Sequence, residues 1–386
     1  MQRRRFIHYS MAALAGAAYA STIASPSTAN APSKKILILG GTRFLGPAIV
    51  EASIAQGHTV TLFNRGVTNP SLFQHLERLR GFRSADPQNE DLTALTHRHF
   101  DVVVDVWPND PALAASAASF LRDRAQHYVY VSSVGAYDAR ELEKAGLEEN
   151  APLEPWNGSA RNYSRGKAES ERRLHAIRGD RITIIRPGPI KGTRDTTPDL
   201  LTWLMRARSG GTHIGPGSGD DSVEWVDVKD VARFLMLAVD RELYGTFNLA
   251  GAPYSFKYFL DACNKSLRSD ARFEWIPQAF LQAHGLETDS ALQTSAGNFP
   301  HWRPAGSQPG LYQISSAKAF SAGWRIRAFE ETVLDTLSFF LSQQETLEWE
   351  DYLSPEKEQE VLKAWRARCF DVGEHRTVPG RDSPRR

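Results

Sequence analysis

The chain runs to 386 residues, room for one large domain or two smaller ones with an ample core. Charge is nearly balanced at +1, and no basic stripe with interleaved aromatics appears beyond the N-terminus, so the electrostatic footprint of nucleic-acid binding is missing. Two cysteines, Cys263 and Cys369, exclude a disulfide framework, and no His, Cys, Asp or Glu spacing reads as a metal site.

The first 31 residues stand apart. Gln2 to His8 is basic, Met11 to Ala20 is alanine-rich and mildly apolar, and Ala18-Tyr19-Ala20 or Ala29-Asn30-Ala31 offers a cleavage site. We read residues 1–31 as a signal peptide, with Arg3-Arg4 ahead of Phe6-Ile7 as its twin-arginine form. The apolar run is too short for a membrane span, and no cysteine near the cleavage sites supports a lipid anchor. Cleavage takes three arginines and no acid from +1 and leaves −2. The expected location is periplasmic or secreted.

Lys35 to Gly46 (KILILGGTRFLG) organises the rest of the chain. Ile36 to Leu39 is an unbroken apolar run, the pattern of a strand buried on both faces of a parallel sheet. Gly40, Gly41 and Gly46 bracket a tight turn that holds Thr42, Arg43, Phe44 and Leu45. The helix after it carries Leu45, Ala48, Ile49, Ala52 and Ala55 on one face and stops at Gly57. Strand, glycine turn and helix N-terminus make a dinucleotide pyrophosphate site, because backbone approaches the phosphates and unpaired N–H groups face them. The second strand, Thr59 to Phe63, ends at Asn64-Arg65. An acid there would take the ribose 2′-OH of NAD; this chain offers Asn64, with guanidinium groups at Arg65 and Arg43. Two arginines and no carboxylate suit a 2′-phosphate, so NADP is expected over NAD; the plain alternative is a pair of solvated loop arginines.

Strand-like runs then alternate with helices. Asp101 to Val106 precedes a helix near Ala112 to Arg122, and Tyr128 to Val131 leads into Ser132-Ser133. A helix from Tyr163 to Ile177 precedes Arg181 to Ile185. Such alternation means a Rossmann-type doubly wound parallel α/β sheet, with its ligand crevice at the carboxyl ends of the strands. After Arg186-Pro187-Gly188-Pro189-Ile190 the texture changes. Strands shorten (Ser222 to Val226, Thr246 to Leu249), and helices at Lys229 to Asp240 and Phe256 to Leu267 are irregularly spaced. Cys263 lies on the second of these as a buried packing residue. A loop from Thr288 to Gly310 is placed to line or cover a pocket. Ser354 to Arg368 reads as a capped amphipathic helix. The expected division is a leader (1–31), a dinucleotide-binding domain (32–190), a smaller substrate lobe with segments returning to the sheet (191–345), a helical extension (346–372) and a disordered tail (373–386).

Tyr163 and Lys167 lie at i and i+4 on one helix face. A nearby ammonium, helped by a cationic nicotinamide, favours tyrosinate and would lower the phenol pKa, so Tyr163 can exchange a proton with an alcohol or carbonyl oxygen as hydride moves. Ser133, at the end of the preceding strand, is placed to hydrogen-bond the same oxygen. The plain alternative, a surface pair, loses weight once a Ser-ended strand and a glycine turn belong to the same sheet.

GGTRFLG, VYVSSVGAY, YSRGK and IIRPGPIKG, in this order, resemble the extended short-chain dehydrogenase/reductase superfamily, the NAD-dependent epimerase/dehydratase group. Arg in the glycine turn, with VTLFNRG after the second strand, is similar to an atypical branch that includes chloroplast stem-loop RNA-binding proteins. The resemblance spans roughly residues 35–340. It implies Ser133, Tyr163 and Lys167 as the catalytic set, with Lys167 also holding the nicotinamide ribose, and Pro187 to Ile190 packing on the nicotinamide. It places Val106 after the fourth strand at the cofactor, with Trp107 either narrowing the pocket or packing. Phe82 replaces the usual Asp after the third strand, which would loosen the adenine contact.

The expected activity is reversible hydride transfer at a carbinol carbon of a sugar or nucleotide-sugar-like substrate. Free cofactor is scarce outside the cytoplasm, which favours chemistry that returns the hydride within one cycle, such as epimerisation or dehydration. A simple NADP-dependent dehydrogenase/reductase is the near alternative, and a non-catalytic RNA- or ligand-binding protein on a retained fold is the other. The expected partner is a small-molecule substrate, without nucleic acid or membrane span, and the resemblance allows a homodimer. His213, Trp225, His301 and Trp302 are pocket candidates by position alone.

Overall fold

Apolar runs set the centre of the molecule. The computed structural model describes residues 32–371, apart from residues 85, 107–109, 160, 198, 287–297, 305–308 and 344–351. The leader, the tail, Trp107 and parts of the 288–310 loop and of the 346–372 extension therefore lie outside the described residues.

The first half runs β1 (Lys35–Leu39), α1 (Leu45–Ala55), β2 (Thr59–Asn64), β3 (Glu77–Arg80), β4 (Phe100–Asp105), α2 (Pro111–Phe120), β5 (Ala125–Val131), α3 (Tyr163–Arg178) and β6 (Ile182–Pro187). Next come β7 (Ile190–Lys191), α4 (Asp199–Ser209), β8 (Thr212–Pro216), β9 (Ser222–Val223), β10 (Val226–Asp227), α5 (Val228–Asp240) and β11 (Gly245–Leu249). The remainder holds β12 (Tyr254–Ser255), α6 (Phe256–Leu267), β13 (Arg272–Ile276), α7 (Gln278–Ala283), α8 (Ala317–Ala322), α9 (Phe329–Ser342) and α10 (Pro355–Asp371).

Seven strands form one parallel sheet in the order β3-β2-β1-β4-β5-β6-β11. Alternation along β1 divides its side chains between two cores. Ile36 and Ile38 pack with α1 and α5 residues, while Leu37 and Leu39 pack with α2 and α3 residues such as Ala114, Ala118 and Leu174. Strand order reverses between β1 and β4, and there Leu39 pairs with both Phe63 and Asp105. That reversal opens the crevice at the carboxyl ends. Asp110 caps α2 by accepting from the Ala112 N–H at 2.8 Å, and Pro111 begins the helix where no N–H is needed.

A separate aromatic core holds the C-terminal lobe. Trp203 of α4 is buried, its ring centroid 5.0 Å from that of Phe256, and its indole N–H donates to the Pro300 carbonyl at 2.8 Å. Val361 and Leu362 of α10 enter this same core, as does Cys263. Thr246 to Leu249 is the body of β11, a segment that returns to the sheet in parallel with β6. One expectation changes here. Ser222 to Val226 is no single strand: Glu224 and Trp225 interrupt it, so β9 pairs with β12 and β10 with β7. The interruption turns Glu224 inward, where its Oε1 accepts from the Gly251 N–H at 2.5 Å.

Candidate active site

One crevice cavity of about 870 Å³ is lined, among the described residues, by the glycine turn, the ends of β2, β5 and β6, the start of α3, and Asp195, Thr197, Asp199, His301, Arg303 and Tyr312. Gly40 and Gly41 have φ of +114° and +91°, backbone that favours glycine. A Cβ on Gly46 would stand 2.6 Å from the Gly41 Cα, so the turn closes onto α1 only with hydrogen there. No side chain caps the N-terminus of α1, which leaves its first amides available. These observations fit a dinucleotide pyrophosphate: bare backbone, uncapped helix and crevice coincide. Thr42, Arg43, Phe44 and Leu45 line the same wall, as do Val106, Pro187 and Ile190.

Asn64 and Arg65 line the crevice as expected, but the Asn64 side chain has another task. Its amide donates to the Gly40 carbonyl at 2.9 Å and its carbonyl accepts from the Gly66 N–H at 2.9 Å. Asn69, which the sequence patterning did not single out, donates to the Thr42 carbonyl at 2.7 Å. Residues 64–69 are thus strapped to the glycine turn at two points. Arg43 and Arg65 are exposed on this wall, and no carboxylate among the described residues pairs with either. Phe82 lies at the rim, 44 % exposed. Its neighbour Arg83 was not foreseen. Arg83 reaches the buried Asp105 through two hydrogen bonds, at 2.7 and 3.0 Å, and Tyr128 donates to Asp105 at 2.8 Å.

Ser133, Tyr163 and Lys167 meet on one wall of the crevice. Ser133 follows β5 and its Oγ accepts from the Gly135 N–H at 3.0 Å, which fixes the side chain. Asn162 caps α3 by accepting from the Arg165 N–H at 3.0 Å, so Tyr163 opens the helix on the crevice wall beside Ser133, whose hydroxyl favours ionisation of the phenol. Lys167, one turn on, is 5 % exposed; its Nζ donates to the Val131 carbonyl at 2.8 Å and lies 5.8 Å from the Tyr163 ring centroid. Burial holds this ammonium down at about 8, partly offset by Asp105 and Glu171.

The protein's own groups do not lower the phenol pKa. Burial against the protein raises the Tyr163 pKa, although 38 % of the residue faces the open crevice, and the Ser133 hydrogen bond only moderates the rise. Helical spacing brings Lys167 near the ring, but its ammonium donates a hydrogen bond to the Val131 carbonyl. Behind the set, Ser132 donates to Glu171, which pairs with Arg186 at 2.6 Å; both charges are almost wholly buried. Sequence patterning gave no sign of this pair.

Of the four pocket candidates, His301 lines the crevice. His213 hydrogen-bonds Glu358 at 2.9 Å inside the lobe, Trp225 packs against Phe259, and Trp302 donates to Asp221 at 2.7 Å. Those three are structural.

A parallel sheet with a glycine turn at its switch point and a Ser-Tyr-Lys wall facing it defines a dinucleotide-binding protein of the Rossmann class. Residues 36–250 match the NAD dependent epimerase/dehydratase family, and the chain belongs to that family. It is 29 % identical over 247 residues to the chloroplast stem-loop binding protein of 41 kDa b from Arabidopsis thaliana. That match covers 60 % of this chain and 63 % of the relative's length. Among solved structures, the Bordetella bronchiseptica enzyme WbmG in complex with NAD and UDP aligns with a TM-score of 0.59 at 16 % identity, over 81 % of this chain and 96 % of that one. UDP-glucose 4-epimerase from Thermotoga maritima, with UDP-glucose, aligns with a TM-score of 0.56 at 16 % identity, over 81 % and 100 %. At such identities the likeness is one of fold.

Proposed function

We propose that the protein is an NAD(P)-dependent oxidoreductase that moves a hydride reversibly at a carbinol carbon of a sugar or nucleotide-sugar-like substrate. The convergence of Ser133, Tyr163 and Lys167 in the same cavity as the glycine turn carries this reading. When bound, the nicotinamide exchanges the hydride, and its oxidised ring adds a positive charge. The backbone of Gly40 to Gly46 and the first amides of α1 would hold the pyrophosphate, and Lys167 the nicotinamide ribose. Tyr163, protonated at neutral pH, is set to give its proton to a carbonyl oxygen and to take one back from the alcohol. Ser133 orients that oxygen and steadies the phenol. The lone guanidinium groups of Arg43 and Arg65 favour NADP, since each can grip a 2′-phosphate. We also propose that residues 1–31 direct export, so that the hydride is returned within each cycle; a reporter fused behind them should reach the periplasm.

A mass spectrum of dinucleotide released from the purified protein tests the cofactor, with NADP the expected species. Tyr163→Phe should keep that dinucleotide yet lower hydride transfer about 10²- to 10⁴-fold; unchanged turnover would sink the proposal. The name of the chloroplast relative favours a second reading, stem-loop binding on the retained fold. A protein that retains no dinucleotide but shifts a labelled RNA hairpin in a gel would establish that reading instead.

A further inference from the structure

On the β6 side of the crevice the lining changes character. Lys191 donates to Thr197 Oγ1 and Asp199 Oδ2, both at 2.7 Å, and lies 3.2 Å from Asp195 Oδ2. Thr197 in turn donates its hydroxyl to Asp195 Oδ1 at 2.8 Å. The side chains of Lys191, Asp195 and Asp199 are 5, 7 and 5 % exposed, a nearly dry cluster on the crevice wall. His301 joins it, with Nε2 3.4 Å from Asp199 Oδ2.

Two buried polar atoms in this wall make no hydrogen bond: Asp195 Oδ2 and His301 Nε2. Among the described residues each keeps one close contact only, Asp195 Oδ2 with Lys191 at 3.2 Å and His301 Nε2 with Asp199 at 3.4 Å, which leaves hydrogen-bonding capacity unused. His301 also carries a φ of +67°, a left-handed backbone that a β-substituted residue adopts only when its surroundings hold it there. Burial, helped by Lys191 and Arg303, pushes the imidazole pKa well below its ordinary value, so the ring is neutral at pH 7. A neutral imidazole offers one donor and one acceptor, and a carboxylate oxygen accepts. One ammonium, Lys191, faces two carboxylates, Asp195 and Asp199, so the cluster exerts no net pull on a phosphate.

We propose that Asp195 and His301, held in place by Lys191, Asp199 and Thr197, form a hydroxyl-reading subsite that seats the hydroxylated ring of a sugar substrate. This rests on the crevice being a dinucleotide-dependent active site. A nucleotide-sugar substrate would then present its sugar here and keep its phosphates away from this wall. Sites built to bond a substrate hydroxyl reject analogues lacking it far more strongly than apolar pockets discriminate by size.

Saturation-transfer NMR on the full chain, with glucose, UDP-glucose and UDP as probes, tests this. The glucose ring protons should take up saturation in the wild type. Asp195→Asn and His301→Asn should weaken ring binding tenfold or more. Asparagine tolerates the backbone at 301, and Asp195→Asn is isosteric, so it carries the test should the other variant fail to fold. Bound dinucleotide, measured in parallel, should be the same in all three proteins. A wild type in which no ring proton is saturated, or variants that hold the ring as tightly as the wild type, overturn the inference. Failure of the underlying enzyme reading shows itself separately, as a wild type that binds no dinucleotide.

Discussion

The two ends of the crevice are made of different material. Around Gly40, Gly41 and Gly46 the surface is backbone, shaped by what is missing: side chains, a helix cap and a carboxylate after β2. Around β6 and β7 it is charged side chains bound to one another, with Lys191–Asp199 as its fixed point and the Glu171–Arg186 pair buried behind it. A dinucleotide diphosphate is the same in every enzyme that uses one, so backbone suffices to hold it. A substrate differs from enzyme to enzyme, and side chains supply that difference. The first end should therefore fail when an atom is added, the second when a charge is removed.

Removing one charge should have the largest effect. Glu171→Ala leaves Arg186 buried and unpaired, and chemical denaturation should show a loss of about 3–5 kcal/mol. Next comes Glu224, 1 % exposed, whose carboxyl burial pushes up to about 8 from 4.5. A carboxyl raised in the folded state contributes most below its unfolded pKa, and that contribution is lost as pH rises from about 4.5 to 8. Wild-type stability should thus fall on the order of a few kcal/mol across this window relative to Glu224→Gln, as paired pH-dependent melts would show.

Adding one atom at the other end should do less to stability and more to binding. Gly46→Ala forces backbone apart at a cost of about 1–3 kcal/mol and should empty the protein of dinucleotide, read by mass spectrometry. The smallest effect is expected at the ribose. Arg43→Ala and Arg65→Ala should each reduce the preference for NADP over NAD roughly tenfold in titrations of the emptied protein, the worth of one charge-assisted hydrogen bond. No change in that ratio would return both arginines to plain solvated loop residues.

Legibility in the sequence divides along the same line. β1, the glycine turn, α1 and the Tyr163–Lys167 spacing rest on local rules of apolar period, glycine placement and helical geometry, and the fold was readable from them. β3 was not, because ERLR has no apolar alternation; it is an edge strand, and its charged residues suit an edge. Asn64 lines the crevice, but the hydrogen bond from its amide to Gly40 was not legible, since it reaches a glycine turn more than twenty residues earlier in the chain. The protein's own contribution to the Tyr163 shift was not legible, because i,i+4 spacing reports proximity and says nothing of burial or of the Val131 carbonyl. The substrate wall was the least legible. Lys191 and Asp199 come from β7 and α4, and His301 joins them from about a hundred residues further along the chain, a distance no local pattern spans.

The placement of β11 bears on how such a protein can be divided. The family match ends at residue 250, just past Leu249, the last residue of the seventh sheet strand. A fragment ending there would own a finished sheet, with β6 no longer an edge open to other chains. It would also own α4, whose Trp203 takes its cover from Phe256, Phe259 and Phe299, all beyond the cut. Any graft of a foreign tail onto this body would have to bring its own counterpart to α4, so the unit of exchange is larger than the boundary implies.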